Sequence, residues 1–202
     1  MKLYHASPCT SSSIGVYLET LSMTQPRAVA YSTFVTTLDF AQDLFSEGKE
    51  PVMGTIEIIE KTTEETATGQ TGNKKEYEII YLGLAAFKDG KFMGYLNMVE
   101  TRAYNLITGD AKTAFFTAQT SEGMSTLELV TAKTDIKTSI ENGKVKLDVK
   151  LKLKTDILQQ TGTLDITKME SAKKVEESLN RMLETEITDA VKRVQSEFGS
   201  DI

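Results

Sequence analysis

The sequence has one cysteine, one histidine and no long apolar run. The lone Cys9 excludes an intramolecular disulfide framework, and no stretch reaches the roughly 20 apolar residues of a membrane-spanning helix. Nor is Met1 followed by the charged and apolar regions of a signal peptide. The net charge of −6 disfavours a nucleic-acid partner, because contact with phosphates requires a basic surface. We therefore expect a soluble, acidic protein.

Residues that carry enzymatic chemistry are also scarce. His5 and Cys9 have the spacing of two metal ligands on one helical turn, but Pro8 argues against a helix and no further ligands lie nearby. A Ser-His-Asp triad would have to use His5, close to the terminus. No nucleophile elbow, dinucleotide fingerprint or P-loop occurs. We predict that the chain is not an enzyme and that it has no metal and no cofactor.

What the sequence does contain is a clear β-hairpin at Asp89-Gly90. This dipeptide suits the two positive-φ positions of a type I′ turn. Folding about it places Phe87 opposite Phe92, an aromatic cross-strand pair that helps to fix the register. Gly94, in the second strand, is expected to permit a bulge or a close approach of another segment.

A capped helix is predicted directly after this hairpin. Asn97 is the N-cap, Glu100 completes a capping box three residues later, and Gly109 stands where a left-handed stop belongs. Apolar residues between the caps recur at i, i+4, i+7 and i+8, so they are expected to form the buried stripe. They are Val99, Ala103, Leu106 and Ile107.

A second hairpin is predicted at Asn142-Gly143. Folding about it brings opposite charges together on one face and aliphatic residues together on the other, so both faces agree on one register. The predicted charged pairs are Glu141 with Lys144, Lys137 with Asp148, and Asp135 with Lys150. The predicted aliphatic pairs are Ile140 with Val145 and Ile136 with Val149.

Lysines recur along the strand that follows this turn, at positions 144, 146, 150, 152 and 154. One reading is a contact for an acidic partner or for anionic lipid head groups. The other is a solvated sheet face, partly neutralised by acidic neighbours, whose lysines protect the sheet edge from aggregation. Of the two readings, we favour the solvated sheet face.

The C-terminal segment has the pattern of one long amphipathic helix. Thr167 and Glu170 are spaced as a capping box, and an apolar stripe continues to Phe198. About 30 helical residues would span roughly 45 Å, comparable to the roughly 36 Å of the strand at 144–154. Because the stripe is broad, it favours packing on a sheet over a narrow coiled-coil seam.

Together these patterns predict an α+β fold with an antiparallel sheet of four or five long strands and a long C-terminal helix packed across it. Residues 1–60 are assigned to a smaller α/β unit, with a strand within 14–21, a helix from Thr37 to Gly48 and a strand within 53–60. Residues 61–76 are polar and form a linker or the tip of a long hairpin. Residues 77–202 are assigned to the C-terminal domain.

The hairpin and helix at 83–109 resemble the most recognisable stretch of the Ger(x)C family, the C subunits of nutrient germinant receptors in endospore-forming bacteria. That stretch has the form G-x-A-V-F-K-D-x-K-x-x-G-x-L-x-x-x-E-T-R-x-Y, and here Ala86 replaces the valine. The likeness extends over residues 33–200. The matching positions are Gly83, Ala85, Phe87, Lys88, Asp89, Lys91, Gly94, Leu96, Glu100, Thr101, Arg102 and Tyr104.

The resemblance implies a non-enzymatic receptor subunit at the outer face of the inner spore membrane, held there by an N-terminal lipid anchor. Its implied partners are the A-type and B-type membrane subunits, with which it would trigger germination. Because the family's lipoprotein signal and N-terminal domain are missing, we interpret the chain as the membrane-distal remainder of such a subunit. The alternative to this interpretation is a naturally short member of the family. The alternative to the receptor function is a soluble binding module for a small germinant or a cell-wall fragment.

Four residues of the matching stretch are candidates for contact with a partner: Gly94, Glu100, Arg102 and Tyr104. Glu100 has a sufficient structural role at the helix N-terminus, where the helix dipole favours a carboxylate. Arg102 lies too early in the helix for its charge to suit the dipole. We therefore predict that Arg102 contacts another domain or subunit, and that an Arg102→Ala protein folds normally.

Overall fold

The computed structural model describes residue 33 and residues 35–61 and 76–199. The strand predicted within 14–21, the His5 and Cys9 pair and most of the predicted linker lie outside these residues. In chain order, the elements are α1 (Thr37–Leu44), β1 (Val52–Lys61), β2 (Glu76–Lys88), β3 (Lys91–Leu96), α2 (Met98–Thr108), β4 (Phe115–Thr120), β5 (Gly123–Glu141), β6 (Lys144–Gly162), α3 (Met169–Arg193) and a π-helical turn (Val194–Phe198).

The strands form two antiparallel sheets of three, in the orders β1-β2-β3 and β4-β5-β6. The sequence predicted an antiparallel sheet of long strands and a long C-terminal helix, and both are confirmed, but the strands are divided between two sheets. The division arises because α2 follows β3 at once and leads the chain away from the edge of the first sheet. The long helix α3 packs on the second sheet, and the π-helical turn that extends it packs on the first.

In the first sheet, β1 pairs with β2 from Val52 opposite Ala86 to Lys61 opposite Glu76. This ladder joins a strand assigned to the small N-terminal unit to the first strand of the C-terminal unit. Residues 62–75 thus connect the adjacent ends of two paired strands, as the hairpin-tip alternative requires. The domain limits themselves stay predictions.

The hairpin at Asp89-Gly90 is confirmed. Both residues have positive φ, 49° and 73°, as a type I′ turn requires. Phe87 lies opposite Phe92, with ring centroids 5.9 Å apart. A bulge then follows in β3, so that the next residue to pair, Gly94, lies opposite Ala86.

Gly94 allows the C-terminal turn to approach the first sheet. A Cβ atom at this position would lie 2.6 Å from the nearest carbon of the Phe198 ring, which is closer than real side chains come. Phe198 and Val194 pack there against Leu84 and Leu96 in the smaller of two hydrophobic cores. The close approach that the sequence predicted at Gly94 is therefore confirmed.

In the second sheet, β5 and β6 pair over almost their full lengths. Asn142 and Gly143 form the predicted turn with φ values of 54° and 75°, and all five predicted cross-strand pairs are present. The register is therefore confirmed. Between Leu151 and the turn, however, the aliphatic side chains are exposed, Ile140 by 76% and Val145 by 69%.

The long helix α3 packs across the second sheet. Val175, Leu179 and Leu183 from α3 enter the larger core together with Phe116 of β4 and Leu127 of β5. The π-helical turn extends α3 into the smaller core. One continuous helical segment therefore contributes to both cores.

The capping box predicted for α3 is wrong. The N-cap is Lys168, which makes no side-chain cap. Thr167 instead donates its backbone N–H and its hydroxyl to Asp165 Oδ1, at 3.1 and 2.6 Å. Thr167 therefore stabilises a local turn instead of the helix end. Side chains of Ser, Thr and Asp can stabilise either one.

The contact between Gly94 and Phe198 predicts a specific loss of stability. Gly94→Ala should lower the free energy of unfolding by about 1–3 kcal/mol, because the added methyl group overlaps the ring. Denaturant unfolding of Gly94→Ala, Phe198→Leu and the double variant would measure this. In the double variant the glycine substitution should cost less, and equal costs in both backgrounds would contradict the contact.

Candidate functional site

The N-terminus of α2 is closed by the predicted capping box. Asn97 Oδ1 accepts from the Glu100 backbone N–H at 3.0 Å, and Glu100 Oε2 accepts from the Asn97 backbone N–H at 2.7 Å. At the other end, Gly109 has the left-handed conformation, with φ 82°. Both caps are confirmed, and they fix where α2 begins and ends.

Glu100 also forms an ion pair with the last residue of α3. Its Oε2 atom lies 2.5 Å from Arg193 Nη1, and Arg193 Nε lies 2.9 Å from Glu197 Oε2. The hydrogen bond to Glu100 is the largest cause of the raised pKa of Arg193. The guanidinium also lies over the Phe198 ring, 5.3 Å from its centroid. Glu100 therefore joins α2 to the end of α3.

Arg102 lies inside the fold, with only 6% of its surface exposed. Its Nη2 atom is 2.5 Å from Glu186 Oε2 of α3, and its Nη1 atom donates to the carbonyl of Phe115 at 3.2 Å. The guanidinium also stacks over the Phe116 ring at 5.3 Å. No structural role for this arginine was evident from the sequence. In the structure, Arg102 connects α2 to α3 and to β4.

The two ion pairs have opposite polarity. Glu100 of α2 meets a cation of α3, whereas Arg102 of α2 meets an anion of α3. The two partners on α3, Glu186 and Arg193, are seven residues or about 10.5 Å apart along the helix axis. Sliding or reversing one helix would bring like charges together, so the pairs select one relative position of the helices. We call these four residues the α2–α3 clamp.

The buried face of α2 differs from the predicted stripe. Val99 is 41% exposed, whereas Thr101, Arg102 and Asn105 are buried together with Ala103 and Leu106. The apolar periodicity failed here because α2 packs between two sheets and α3, so more than one side of a short helix is covered. Buried polar side chains then take positions that the sequence assigned to the surface.

Tyr104 packs partly buried against the smaller core. Burial, followed by the charges of Asp110 and Asp43, raises the pKa of Tyr104 to about 12. Its phenol therefore stays neutral at physiological pH. Tyr104 and Arg102 both serve the interior of the fold, and their predicted contacts with a partner stay predictions.

A pocket of about 530 Å³ opens beside the α2–α3 clamp. Glu100 and Arg193 line it together with Tyr95 and Met98, whose side chains are 63% and 44% exposed. The Tyr95 ring lies 4.8 Å from that of Phe92, which is also half-exposed. The remaining lining residues are Leu82, Leu96 and Asn97.

Only Glu100 among the four predicted site residues lines this pocket. Gly94 precedes the lining residue Tyr95 in β3 and contacts the Phe198 ring. Three further residues of the lining, Tyr95, Met98 and Arg193, were not predicted as site residues. Tyr95 alternates with the buried Leu96, and this alternation was the available signal that an aromatic ring points away from the core.

Within residues 35–61 and 76–199, no group of three or more histidine, cysteine or acidic residues could hold a metal ion. None of the helices in that part of the chain has the length and apolar character needed to cross a bilayer.

A family model described as spore germination B3/GerAC-like, C-terminal, matches residues 82–202. The chain is also similar to the GerBC protein, known from a crystal structure, with 23% sequence identity and a TM-score of 0.54. That likeness covers 61% of this chain and 39% of the GerBC chain, and at this identity it shows the fold alone. The chain thus matches well under half of the GerBC length. No curated protein sequence matches it.

The position of Arg102 predicts that Arg102→Ala destabilises the fold, contrary to the expectation from sequence. The substitution leaves the Glu186 carboxylate and the Phe115 carbonyl without this partner, so we expect a loss of about 2–4 kcal/mol. Denaturant unfolding would measure it, with Arg181→Ala, at an exposed position of α3, as the control. Equal stabilities of the two variants would contradict the proposed role.

Proposed function

We propose, since this chain belongs to the spore germination B3/GerAC-like family, that it acts as a non-enzymatic subunit of a nutrient germinant receptor. Its task would be to assemble with the membrane-embedded A-type and B-type subunits. A lipid anchor on the full-length protein would hold it at the outer face of the inner spore membrane. The support for this role is the family membership together with the surface beside the clamp.

The observation that carries the assembly role is the set of exposed apolar side chains at the pocket. Tyr95, Phe92 and Met98 are large, exposed and adjacent, and tyrosine, phenylalanine and methionine are enriched at protein interfaces. An open pocket beside exposed rings can receive an apolar side chain of a partner, and such buried anchors supply much of the binding free energy at interfaces. We infer that this surface, which we call the pocket rim, receives a receptor subunit.

The clamp explains why the pocket rim would be a good docking surface. The Glu100–Arg193 pair lines the pocket and is itself tied to the capping box and to Glu197. This part of the lining is therefore built from side chains that already have partners and lose little freedom on binding. A surface that is ordered before it meets its partner saves the free energy of ordering it in the complex.

Substitutions at the pocket rim should weaken assembly without harming the fold. Tyr95→Ala and Met98→Ala should each reduce affinity for detergent-solubilised A-type or B-type subunits about 30-fold or more, because truncation of a hot-spot residue costs about 2 kcal/mol or more. Titration calorimetry would measure this. Met124→Ala is the matched control, since Met124 is 40% exposed on the second sheet.

The control should bind like the unchanged protein, and all variants should unfold at similar temperatures. Affinities of Tyr95→Ala and Met98→Ala equal to that of the control would show that the pocket rim does not receive these subunits.

A second candidate function is favoured by the size of the same pocket. Its volume of about 530 Å³ lies within the range of small-molecule sites. A carboxylate and a guanidinium lie together in its lining, and a zwitterionic ligand would bind by dividing the ion pair between them. In this case the chain would bind a small germinant or a cell-wall fragment.

Thermal unfolding in the presence of amino acids, sugars and muropeptides separates the two candidates. A ligand that binds the folded state raises the melting temperature in proportion to the logarithm of its concentration. If the second candidate is right, one of these ligands should raise it, and Arg193→Gln should abolish the effect. A flat profile across all three classes would exclude this function.

A further inference from the structure

The far end of the second sheet is only two strands wide. β4 pairs with β5 no further along the sheet than Phe115 opposite Glu128, whereas β5 and β6 continue to their turn at Asn142. The hydroxyl of Thr134 donates to the carbonyl of Leu106 at 2.5 Å, where α2 meets this ribbon. We call residues 135–150, beyond that contact, the overhang.

The inner face of the overhang is an uncovered continuation of the core face. Ala132, Leu151 and Leu153 share this face and pack against the larger core. The next residues on the same face are aliphatic, yet they are exposed by between 42% and 76%. They are Ile136, Ile140, Val145, Leu147 and Val149. An aliphatic strip therefore continues from the core onto the exposed surface of the protein.

The ribbon that bears this strip is cationic, although the chain is acidic. Residues 130–154 contain seven lysines and three acidic residues, a net charge of +4. The overhang itself holds four of the lysines and all three acidic residues, a net charge of +1, so the excess of lysines lies at its base. The whole chain carries −6, which leaves −10 for the residues outside 130–154. Lys133 even lies directly opposite Lys152, an arrangement that costs stability unless an anion is near.

Lysines of a two-stranded ribbon can reach toward either face. The strands lie about 4.8 Å apart, so every residue is at a rim of the ribbon. A lysine stem can therefore bend around the rim and place its ammonium group level with the aliphatic strip. Aliphatic groups and ammonium groups can then contact the same surface of a partner.

We propose that the overhang is a contact surface for an anionic lipid bilayer. The aliphatic strip lies at the boundary between head groups and acyl chains, and the lysines of the ribbon contact lipid phosphates. This combination of an apolar face and basic residues is what binds interfacial segments to anionic membranes. The proposal goes beyond the receptor-assembly role and does not depend on it.

The size and charge of the strip favour lipid over protein. Seven residue pairs at about 3.4 Å each give a length of about 24 Å, and two strands give a width of about 10 Å. The resulting area of about 240 Å² is far below the roughly 800 Å² that each partner contributes to a stable protein interface. Self-association would bring together two overhangs of +1, each next to the lysine-rich base of its ribbon, and the repulsion between these charges opposes it. A bilayer requires no complementary shape.

A single tryptophan tests the proposal, because the chain contains none. In the full chain carrying Leu147→Trp, the emission should shift to the blue when vesicles of phosphatidylglycerol and phosphatidylcholine are added. Vesicles of phosphatidylcholine alone should give a much smaller shift. Ser139→Trp is the control, since Ser139 pairs with Lys146 on the opposite face, and its emission should change little.

Vesicle co-sedimentation then measures the two contributions separately. Leu147→Asp should weaken binding to the anionic vesicles roughly 10- to 100-fold, because it removes one buried leucine side chain. Replacing Lys150, Lys152 and Lys154 together by glutamine should weaken it by a similar factor, because each lysine near an anionic surface contributes several-fold. Leu158→Asp, at a position 55% exposed on the second sheet outside the overhang, should bind like the unchanged protein.

Three results would overturn the proposal. The first is an unshifted Leu147→Trp emission with both kinds of vesicle. The second is a shift that grows with protein concentration in the absence of lipid, which would assign the strip to a second copy of the chain. The third is equal vesicle binding by Leu147→Asp and the unchanged protein. Because the vesicles contain no receptor subunits, none of these results bears on receptor assembly.

Discussion

The α2–α3 clamp is the interaction on which the arrangement of this protein depends. Two ion pairs of opposite polarity, Glu100 with Arg193 and Arg102 with Glu186, hold a short helix against a long one. The long helix in turn supplies side chains to both hydrophobic cores. The clamp therefore sets the position of each sheet relative to the other through a single rigid segment. Hydrophobic burial supplies most of the stability, but it is not directional, and the charges select one geometry.

The two surfaces proposed for function adjoin opposite ends of α2. The pocket rim is formed where β3 passes into α2, so its shape follows from the pair between Glu100 and Arg193. The overhang begins where the contact between Thr134 and Leu106 ends. One surface is concave and rich in aromatic residues, whereas the other is a flat aliphatic strip with lysines around it. These differences suit a protein partner in the first case and a lipid surface in the second.

Much of the local structure was predictable from the sequence. Both type I′ turns, the register of both hairpins and the capping box of α2 follow from residues that are close in the chain, because their interactions are complete within a few positions. The prediction of the α3 cap was wrong, since Thr167 had an equally local alternative in Asp165. The prediction of the buried stripe of α2 failed for a different reason. Periodicity assumes one covered side, and α2 is covered on several, so that Arg102 is buried and Val99 is exposed.

The sequence by itself determined the turns, the caps, the strand pairing within each hairpin and the resemblance that leads to the family. Only the tertiary structure decided that the strands divide into two sheets, that Arg102 is an internal fastener, and that Tyr95 and Met98 stand at a pocket with Arg193. The last two depend on residues more than 80 positions apart, namely Arg102 with Glu186 and Tyr95 with Arg193. Side-chain chemistry states what such residues can contact, but the choice among many possible partners is made by the packing of the whole chain.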